Sequence, residues 1–215
     1  MLITGAIVAA VLLAMTWGAL KGGEAAAGGP SLAFPASSAI PLCLAALLAF
    51  LSEGAIGDWS GVYFATVVGV KASAAAAGYA IFAGAMLAGR MFGDAVVRSL
   101  GQRLILLIGG SMAAAGLLLV AFVPSQVPCM IGFAVAGIGL ANIVPTLFSA
   151  GGRLGATPAA GVAMAATAGY AGHLSGPPIM GVVATAAGLQ AGMVVLALCG
   201  ASIALLSGLS TKSAA

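Results

Sequence analysis

Charged side chains are what this sequence has least of. Its 215 residues include 7 lysines and arginines, 4 aspartates and glutamates and 1 histidine, so that charged residues make up 5% of the chain. Soluble domains carry roughly 25% charged residues. Hydrophobic residues reach 62%, and the mean hydropathy is +1.22. Because a soluble surface cannot be built from so few polar side chains, we expect lipid to surround this chain.

Several kinds of chemistry are also missing from the sequence. The 3 cysteines, Cys43, Cys129 and Cys199, are far apart within apolar runs and lack CxxC spacing, so neither a disulfide nor a metal site is predicted. No P-loop, HExxH motif or nucleophile elbow is present. His173 and Ser175 would point about 200° apart on a helix, which does not suit a nucleophile and its base. We therefore predict no enzyme, no catalytic residue and no cofactor, and the net charge of +3 is too small to suggest nucleic acid.

Long apolar runs dominate what remains. A helix needs about 20 mostly apolar residues to cross a bilayer. Short alternating strands, which a β-barrel would show, are not evident. The first run could be a signal peptide, but nothing basic precedes it, and we interpret it as a retained helix. The sequence thus predicts an all-α polytopic membrane helix bundle of about seven transmembrane helices, at 2–20, 40–66, 73–93, 103–123, 127–149, 158–184 and 188–209.

One linker and the distribution of cations organise these runs. Residues 21–39 are rich in Gly, Ala, Ser and Pro, which indicates flexible chain between two units, 1–20 and 40–209. Cytoplasmic loops collect lysine and arginine. With the linker inside the cell, only Lys71 falls outside. We therefore expect an outer N-terminus and a cytoplasmic tail at 210–215, with six cations at the cytoplasmic side: Lys21, Arg90, Arg98, Arg103, Arg153 and Lys212.

Three of those arginines lie in one stretch, GRMFGDAVVRSLGQR, from Gly89 to Arg103. One interpretation is a hairpin that arginines anchor at the cytoplasmic surface. Another is that Asp94 caps the following helix or screens the arginines locally. A third comes from family resemblance, because the spacing of the glycines, Asp94 and the arginines resembles the cytoplasmic loop signature of the major facilitator superfamily.

Four blocks carry that resemblance further. They are SEGAIGDWSGVYF (Ser52–Phe64), the loop stretch itself, GIGLANIVPTLFSAGGR (Gly137–Arg153) and GYAGHLSGPP (Gly169–Pro178). In this order they resemble bacterial inner-membrane facilitators of the sugar-permease-like type. The resemblance implies that 1–20 is equivalent to the sixth helix of a twelve-helix transporter, 21–39 to its central cytoplasmic linker, and 40–209 to its six-helix C-terminal half.

The same resemblance implies a function. Facilitators move a small polar solute, such as a sugar or a drug-like compound, by alternating access, driven by a gradient or by protons. Substrate binds between the two halves, so this chain would supply one wall. We expect the lipid bilayer and a small-molecule substrate as partners, with the missing N-terminal half coming from another chain or from a homodimer. The alternative is a truncated, non-transporting membrane protein with only a structural or assembly role.

In facilitators the loop closes the cytoplasmic side by pairing with the opposite half. The resemblance implies that role here, and because that half is not encoded between residues 1 and 215, we expect the motif to be unpaired or only locally paired. The local version is a contact between Asp94 and an arginine of the same loop. The gate-loop residues are Gly89, Arg90, Asp94, Arg98, Gly101 and Arg103.

Two acids lie within the second apolar run. A carboxylate in the hydrocarbon core costs at least about 2.5–3.5 kcal/mol, so it should face a cavity or a partner. Glu53 and Asp58 are about 140° apart on a helix and cannot both point at one spot. Glu53 is either a cavity-facing group for solute or proton, or a carboxylate hydrogen-bonded to a neighbouring helix. Asp58 is more simply structural or part of an external gate, and Trp59 is either an interface aromatic or a sugar-stacking surface.

Other candidates for the solute or proton path lie later in the chain. His173 suits proton coupling or a structural hydrogen bond. Asn142 either lines the path or ties two helices together, and Tyr170 is a further path candidate. Prolines Pro145, Pro177 and Pro178 either bend helices for gating or only shape the packing. Small residues Gly132, Ala136 and Gly139 predict one face for close helix packing.

Overall fold

The computed structural model describes residues 39–212, and every regular element in that range is helical. The predicted span 2–20 and most of the linker 21–39 lie outside the described residues. The helices are α1 (Ile40–Tyr63), which a π-helical segment (Phe64–Val68) extends, α2 (Ala72–Ala75), α3 (Ala77–Met91), α4 (Gly93–Phe122), α5 (Gln126–Ala141), α6 (Ile143–Leu154), α7 (Pro158–Ala187) and α8 (Leu189–Lys212).

Five helical stretches in the described range are long and apolar enough to cross a membrane: 40–68, 73–91, 95–122, 126–154 and 189–209. The prediction of an all-α polytopic membrane bundle is therefore confirmed. The sixth long helix, α7, has 30 residues and agrees with the predicted run 158–184. It is less apolar because His173, Ser175 and two prolines interrupt it, and its crossing of the membrane stays a prediction.

Helix boundaries differ from the predictions at three places. The predicted run 73–93 is divided at Ala76 into α2 and α3. The expected break at 94–102 is mostly helix, because α4 begins at Gly93 and is kinked at Gly101, where φ is 75° and ψ is 161°. Glycine alone adopts such angles readily. The expected single helix at 127–149 is divided at Asn142 into α5 and α6. Pro145, three residues later, lacks the backbone N–H that a continuous helix would use.

Glycine lets the helix backbones approach closely. A Cβ added to Gly172 of α7 would lie 2.1 Å from the Leu47 carbonyl oxygen of α1, and one added to Gly176 would lie 2.4 Å from the Leu51 carbonyl oxygen. These contacts make α1 and α7 a tightly packed pair. In a bilayer, where apolar surface is already in an apolar solvent, such close packing is a main source of helix association.

The predicted small face of α5 is confirmed. An added Cβ on Gly132 would lie 2.5 Å from the Gly116 carbonyl oxygen of α4, and one on Gly139 would lie 2.6 Å from the Gly109 carbonyl oxygen. Ala136 between them is fully buried. Helix α4 also packs against α8, where Gly110 and Gly200 allow a similar approach. Small residues thus bring α4 close to both α5 and α8, and large side chains such as Leu117 and Phe133 fill the core beside these contacts.

Candidate functional site

An acidic and a basic side chain meet inside the bundle. Glu53 lies in the middle of α1, and Arg90 lies in the last turn of α3. Their Oε1 and Nη2 atoms are 3.6 Å apart, and the side chains are 17% and 44% exposed, respectively. Glu53 Oε1 is buried and has no hydrogen-bond partner among the described residues. At 3.6 Å the contact is an ion pair that falls just short of a direct hydrogen bond.

Arg90 also reaches the junction between α5 and α6. Its Nε donates a hydrogen bond to the Ala141 carbonyl oxygen at 3.2 Å. In the same place Asn142 Nδ2 donates to the Gly89 carbonyl oxygen at 3.1 Å. A Cβ on Gly93 would lie 2.3 Å from Asn142 Oδ1, so the glycine leaves room for the amide. Two reciprocal hydrogen bonds thus tie the end of α3 to the break between α5 and α6.

Asn142 therefore ties two helices, which is one of the two roles considered for it. The expectation that the loop motif is unpaired or locally paired is wrong for Arg90. This residue pairs with Glu53, which lies on another membrane helix, because the end of α3 turns its guanidinium into the bundle. The Asp94 side chain lies outside the described ones, so its predicted local contact stays a prediction.

The remaining gate-loop residues divide into exposed cations and packing glycines. Arg98 and Arg103 are exposed. Gly101 provides the kink within α4. A Cβ on Gly89 would lie 2.8 Å from the Ala141 Cβ, so this glycine permits the approach of α3 to α5. The conformation and the contacts of these glycines explain the residue type at both positions.

His173 and Tyr170 of α7 lie beside Phe50, one turn before Glu53 on α1. Phe50 has its ring centroid 5.6 Å from that of Tyr170 and 6.3 Å from that of His173, with edge-to-face geometry in both pairs. His173 also packs on Gly54, where an added Cβ would lie 3.1 Å from Nδ1. The histidine thus packs beside the residue that follows Glu53 in the chain. Tyr170 and His173 are both exposed on the surface of the bundle, and the exposed fraction of Tyr170 is 61%.

Trp59 and Asp58 lie farther along α1 and apart from that group. The Trp59 indole Nε1 donates a 3.1 Å hydrogen bond to the Pro177 carbonyl oxygen, so it ties α1 to the proline pair of α7. With Pro178, Gly181 and Val182, Trp59 lines a shallow groove. Asp58 is exposed. The two acids of α1 thus point in different directions, as their helical spacing predicts.

Of the six path candidates, Tyr170 and His173 lie beside Phe50, one turn from Glu53. Asn142 is connected to Glu53 through Arg90, which bonds the carbonyl oxygen of the preceding residue. The structure adds Arg90, which the sequence suggested only as a gate residue, and Phe50, which no sequence pattern marked apart from its place one turn from Glu53. Within residues 39–212, no three His, Cys, Asp or Glu side chains are arranged to hold a metal ion.

The chain is similar in sequence to proteins that are named as transporters or as a membrane protein. The chain is 38% identical over 181 residues to an uncharacterized MFS-type transporter of Yersinia pestis, an alignment that covers 84% of this chain and 47% of the relative. It is 36% identical over 158 residues to membrane protein MosC of Rhizobium meliloti, which covers 73% of this chain and 39% of the relative. No family model matches the chain.

A third relative, the uncharacterized transporter y4wD of Sinorhizobium fredii, is 33% identical over 181 residues, which is 84% of this chain and 48% of the relative. The chain therefore spans about half the length, or less, of the curated relatives it matches. Their names support a transporter family. They say nothing of a substrate.

Proposed function

We propose that this chain forms one wall of a membrane transport path for a small polar solute, working by the alternating-access mechanism of the major facilitator superfamily. The observation that carries the proposal is the Glu53–Arg90 pair among membrane-crossing helices. Charged groups at such positions are costly and mark solute or proton paths. The names of the relatives agree with transport.

The exposure of the pair and of its neighbours supports a path rather than a sealed structural contact. Arg90 is 44% exposed, and His173 and Tyr170 on α7 are exposed beside Phe50. These groups would line a cavity completed by a second set of helices, from an N-terminal half on another chain or from a second copy. In this proposal the chain is the C-terminal half of a gradient- or proton-coupled inner-membrane facilitator, and the solute is a sugar or a drug-like compound.

Uptake measurements test this proposal. A chimera is made in which this chain replaces the matching stretch of the Yersinia pestis relative, and cells are offered labelled sugars, sugar alcohols and drug-like cations. We expect uptake of at least one solute above vector level, and little or none from this chain alone. Glu53→Gln should lower that uptake about tenfold, which is the effect of losing about 1.4 kcal/mol at the transition state.

The matched control is Asp58→Asn, which neutralises an exposed acid five residues along the same helix and should leave uptake within about twofold of the parent chimera. His173→Ala is measured alongside. Uptake that survives unchanged in both Glu53→Gln and His173→Ala would remove these residues from the path. A chimera that reaches the membrane but transports no solute would favour the structural or assembly role.

A further inference from the structure

Helix α5 ends where the carbonyl group of Ala141 lacks its helical hydrogen-bond donor. In a continuous helix the Ala141 carbonyl oxygen would accept from the N–H four residues later, but residue 145 is proline and has none. The backbone breaks at Asn142, where φ is −106° and ψ is 0°, and α6 then resumes with Thr146 N–H bonded to the Asn142 carbonyl oxygen. Within a membrane, a freed carbonyl must find another donor.

Arg90 is that donor. Its Nε bonds the Ala141 carbonyl oxygen at 3.2 Å, and its Nη2 lies 3.6 Å from Glu53 Oε1. One planar guanidinium therefore connects an acid of α1 with the break in the α5–α6 helix. Since the five N–H groups of arginine are held in a rigid fork, the two contacts depend on a single orientation of the group.

We propose that Arg90 is a positioning residue that couples the charge of Glu53 to the bend at Asn142. While Glu53 is ionised, its attraction holds the guanidinium where Nε caps the Ala141 carbonyl. When Glu53 is neutralised, by a proton or by a cationic group of the solute, that attraction is lost, Arg90 is released, and the angle between α5 and α6 changes. The assignment of Glu53 to the path rests on the proposed function, whereas the coupling itself is a property of this chain.

Few charged or titratable side chains lie near the Glu53 carboxylate among the described residues. Among the described side chains, Arg90 of α3 forms an ion pair with it, and His173 of α7 packs on Gly54, the next residue of α1. Asp58 of the same helix is exposed and faces elsewhere. The geometry is therefore that of one acid between one fixed cation and one titratable ring, so a test must separate the acid from the histidine.

The bend is measured as a distance between two spin labels in the full chain, reconstituted in lipid nanodiscs, with its three cysteines replaced by alanine. Labels at Ser149 of α6 and Leu205 of α8 are both on exposed positions. A bend of about 20° would move Ser149, about 10 Å beyond the break, by about 3 Å. Double electron–electron resonance resolves such a shift in the distance between the two labels.

Neutralising the acid should shift this distance, whereas preserving its charge should not. We expect Glu53→Gln and Arg90→Gln to shift it in the same direction, and the double variant to shift it no further than Arg90→Gln alone. Glu53→Asp should keep the parent distance, and so should the matched control Asp58→Asn. Lowering the pH should shift the distance in the parent and in His173→Gln, but not in Glu53→Gln.

Pro145→Ala supplies an independent check, because it restores the missing N–H donor to Ala141. In that background Glu53→Gln should shift the distance little or not at all. If Arg90→Gln fails to fold, the comparisons of Glu53→Gln with Glu53→Asp, with and without Pro145→Ala, still decide the matter.

Three results would overturn the coupling. The first is a shift in Arg90→Gln with none in Glu53→Gln, which would leave Arg90 as a structural cap only. The second is an equal shift in Asp58→Asn, which would show a general effect of charge. The third is a pH response that disappears in His173→Gln. Because no solute is needed, failure here leaves the uptake result standing, and absence of uptake leaves this result standing.

Discussion

At the scale of the residue, two acids on one helix acquire different surroundings. Glu53 is mostly enclosed and paired with Arg90, whereas Asp58, five positions later, is exposed. Their angular separation of about 140° follows from helical geometry alone. Which of them is enclosed depends on the neighbours that tertiary packing provides, and for Glu53 these neighbours come from α3 and α7.

A buried tyrosine gives a prediction at the same scale. The Tyr63 hydroxyl of α1 donates to the Val120 carbonyl oxygen of α4 at 2.6 Å, and the side chain is fully buried. We expect Tyr63→Phe to lower the free energy of unfolding by about 0.6 kcal/mol, the average for hydrogen bonds between membrane helices, and at most about 1.7 kcal/mol. Denaturation in mixed micelles measures this value.

Tyr79→Phe is the control for that change, because Tyr79 is 48% exposed. It should alter the free energy of unfolding by less than about 0.5 kcal/mol, as surface substitutions usually do. Equal losses in the two variants would mean that the bond to Val120 contributes nothing specific.

At the scale of the element, the helices are held by close backbone approach. Helix α7 buries a row of glycines against α1, and α4 and α5 meet at glycines on both sides. These positions follow a helical repeat, which the sequence revealed for α5. For α7 the repeat is present as well, but glycine is so abundant in this chain that its pairing with α1 could not be deduced from spacing.

Gly172→Ala tests this packing. Its new Cβ would lie 2.1 Å from the Leu47 carbonyl oxygen, so α1 and α7 would have to separate. We expect a loss of about 1–3 kcal/mol of unfolding free energy, the usual cost of overpacking. Gly84→Ala in α3 is the matched control, since no atom lies within 4 Å of its added Cβ. A loss as large in Gly84→Ala would point to glycine flexibility instead of packing.

The kink in α4 at Gly101 leads to a second prediction at the scale of the element. Nothing lies within 4 Å of an added Cβ there, but φ is 75°. Gly101→Ala should therefore lower the unfolding free energy by about 1–3 kcal/mol through backbone strain alone. Gly208→Ala in α8, which also has open space around it and no positive φ, should be close to neutral. A neutral Gly101→Ala would contradict the strained angle.

At the scale of the whole molecule, large apolar side chains remain on the surface. Leu87, Met91 and Phe92 are 64%, 75% and 66% exposed. In water such a surface would drive aggregation, whereas in a bilayer it is simply solvated by lipid tails. The apolar surface thus agrees with the composition, and the few cations predict an orientation in the membrane.

Cysteine accessibility tests that orientation. In the cysteine-free chain, Lys71→Cys and Arg98→Cys are both exposed positions on opposite predicted sides. A membrane-impermeant maleimide added to spheroplasts should modify Lys71→Cys at once and Arg98→Cys only after permeabilisation, because positive loops stay inside. The reverse pattern would invert the proposed topology.

The sequence by itself determined that the chain is a helical membrane bundle. In lipid a backbone must satisfy its own hydrogen bonds as helices or as a closed barrel, and long apolar runs without short alternating strands leave the helices. The sequence also singled out Glu53 and Asn142, because polar groups within apolar helices need a partner or a cavity. It marked Arg90 only as a cytoplasmic cation and, by resemblance, as a gate residue.

Only the tertiary structure decided that these three residues belong to one group. Glu53 and Arg90 are 37 positions apart, as their numbers show, and Ala141 is a further 51 positions from Arg90. Their meeting depends on how glycine contacts place α3 between α1 and α5, which no local pattern encodes. Pro145 shows from the sequence alone that the Ala141 carbonyl oxygen lacks a backbone hydrogen-bond donor. Only the packing of α3 against α5 shows that Arg90 replaces that donor.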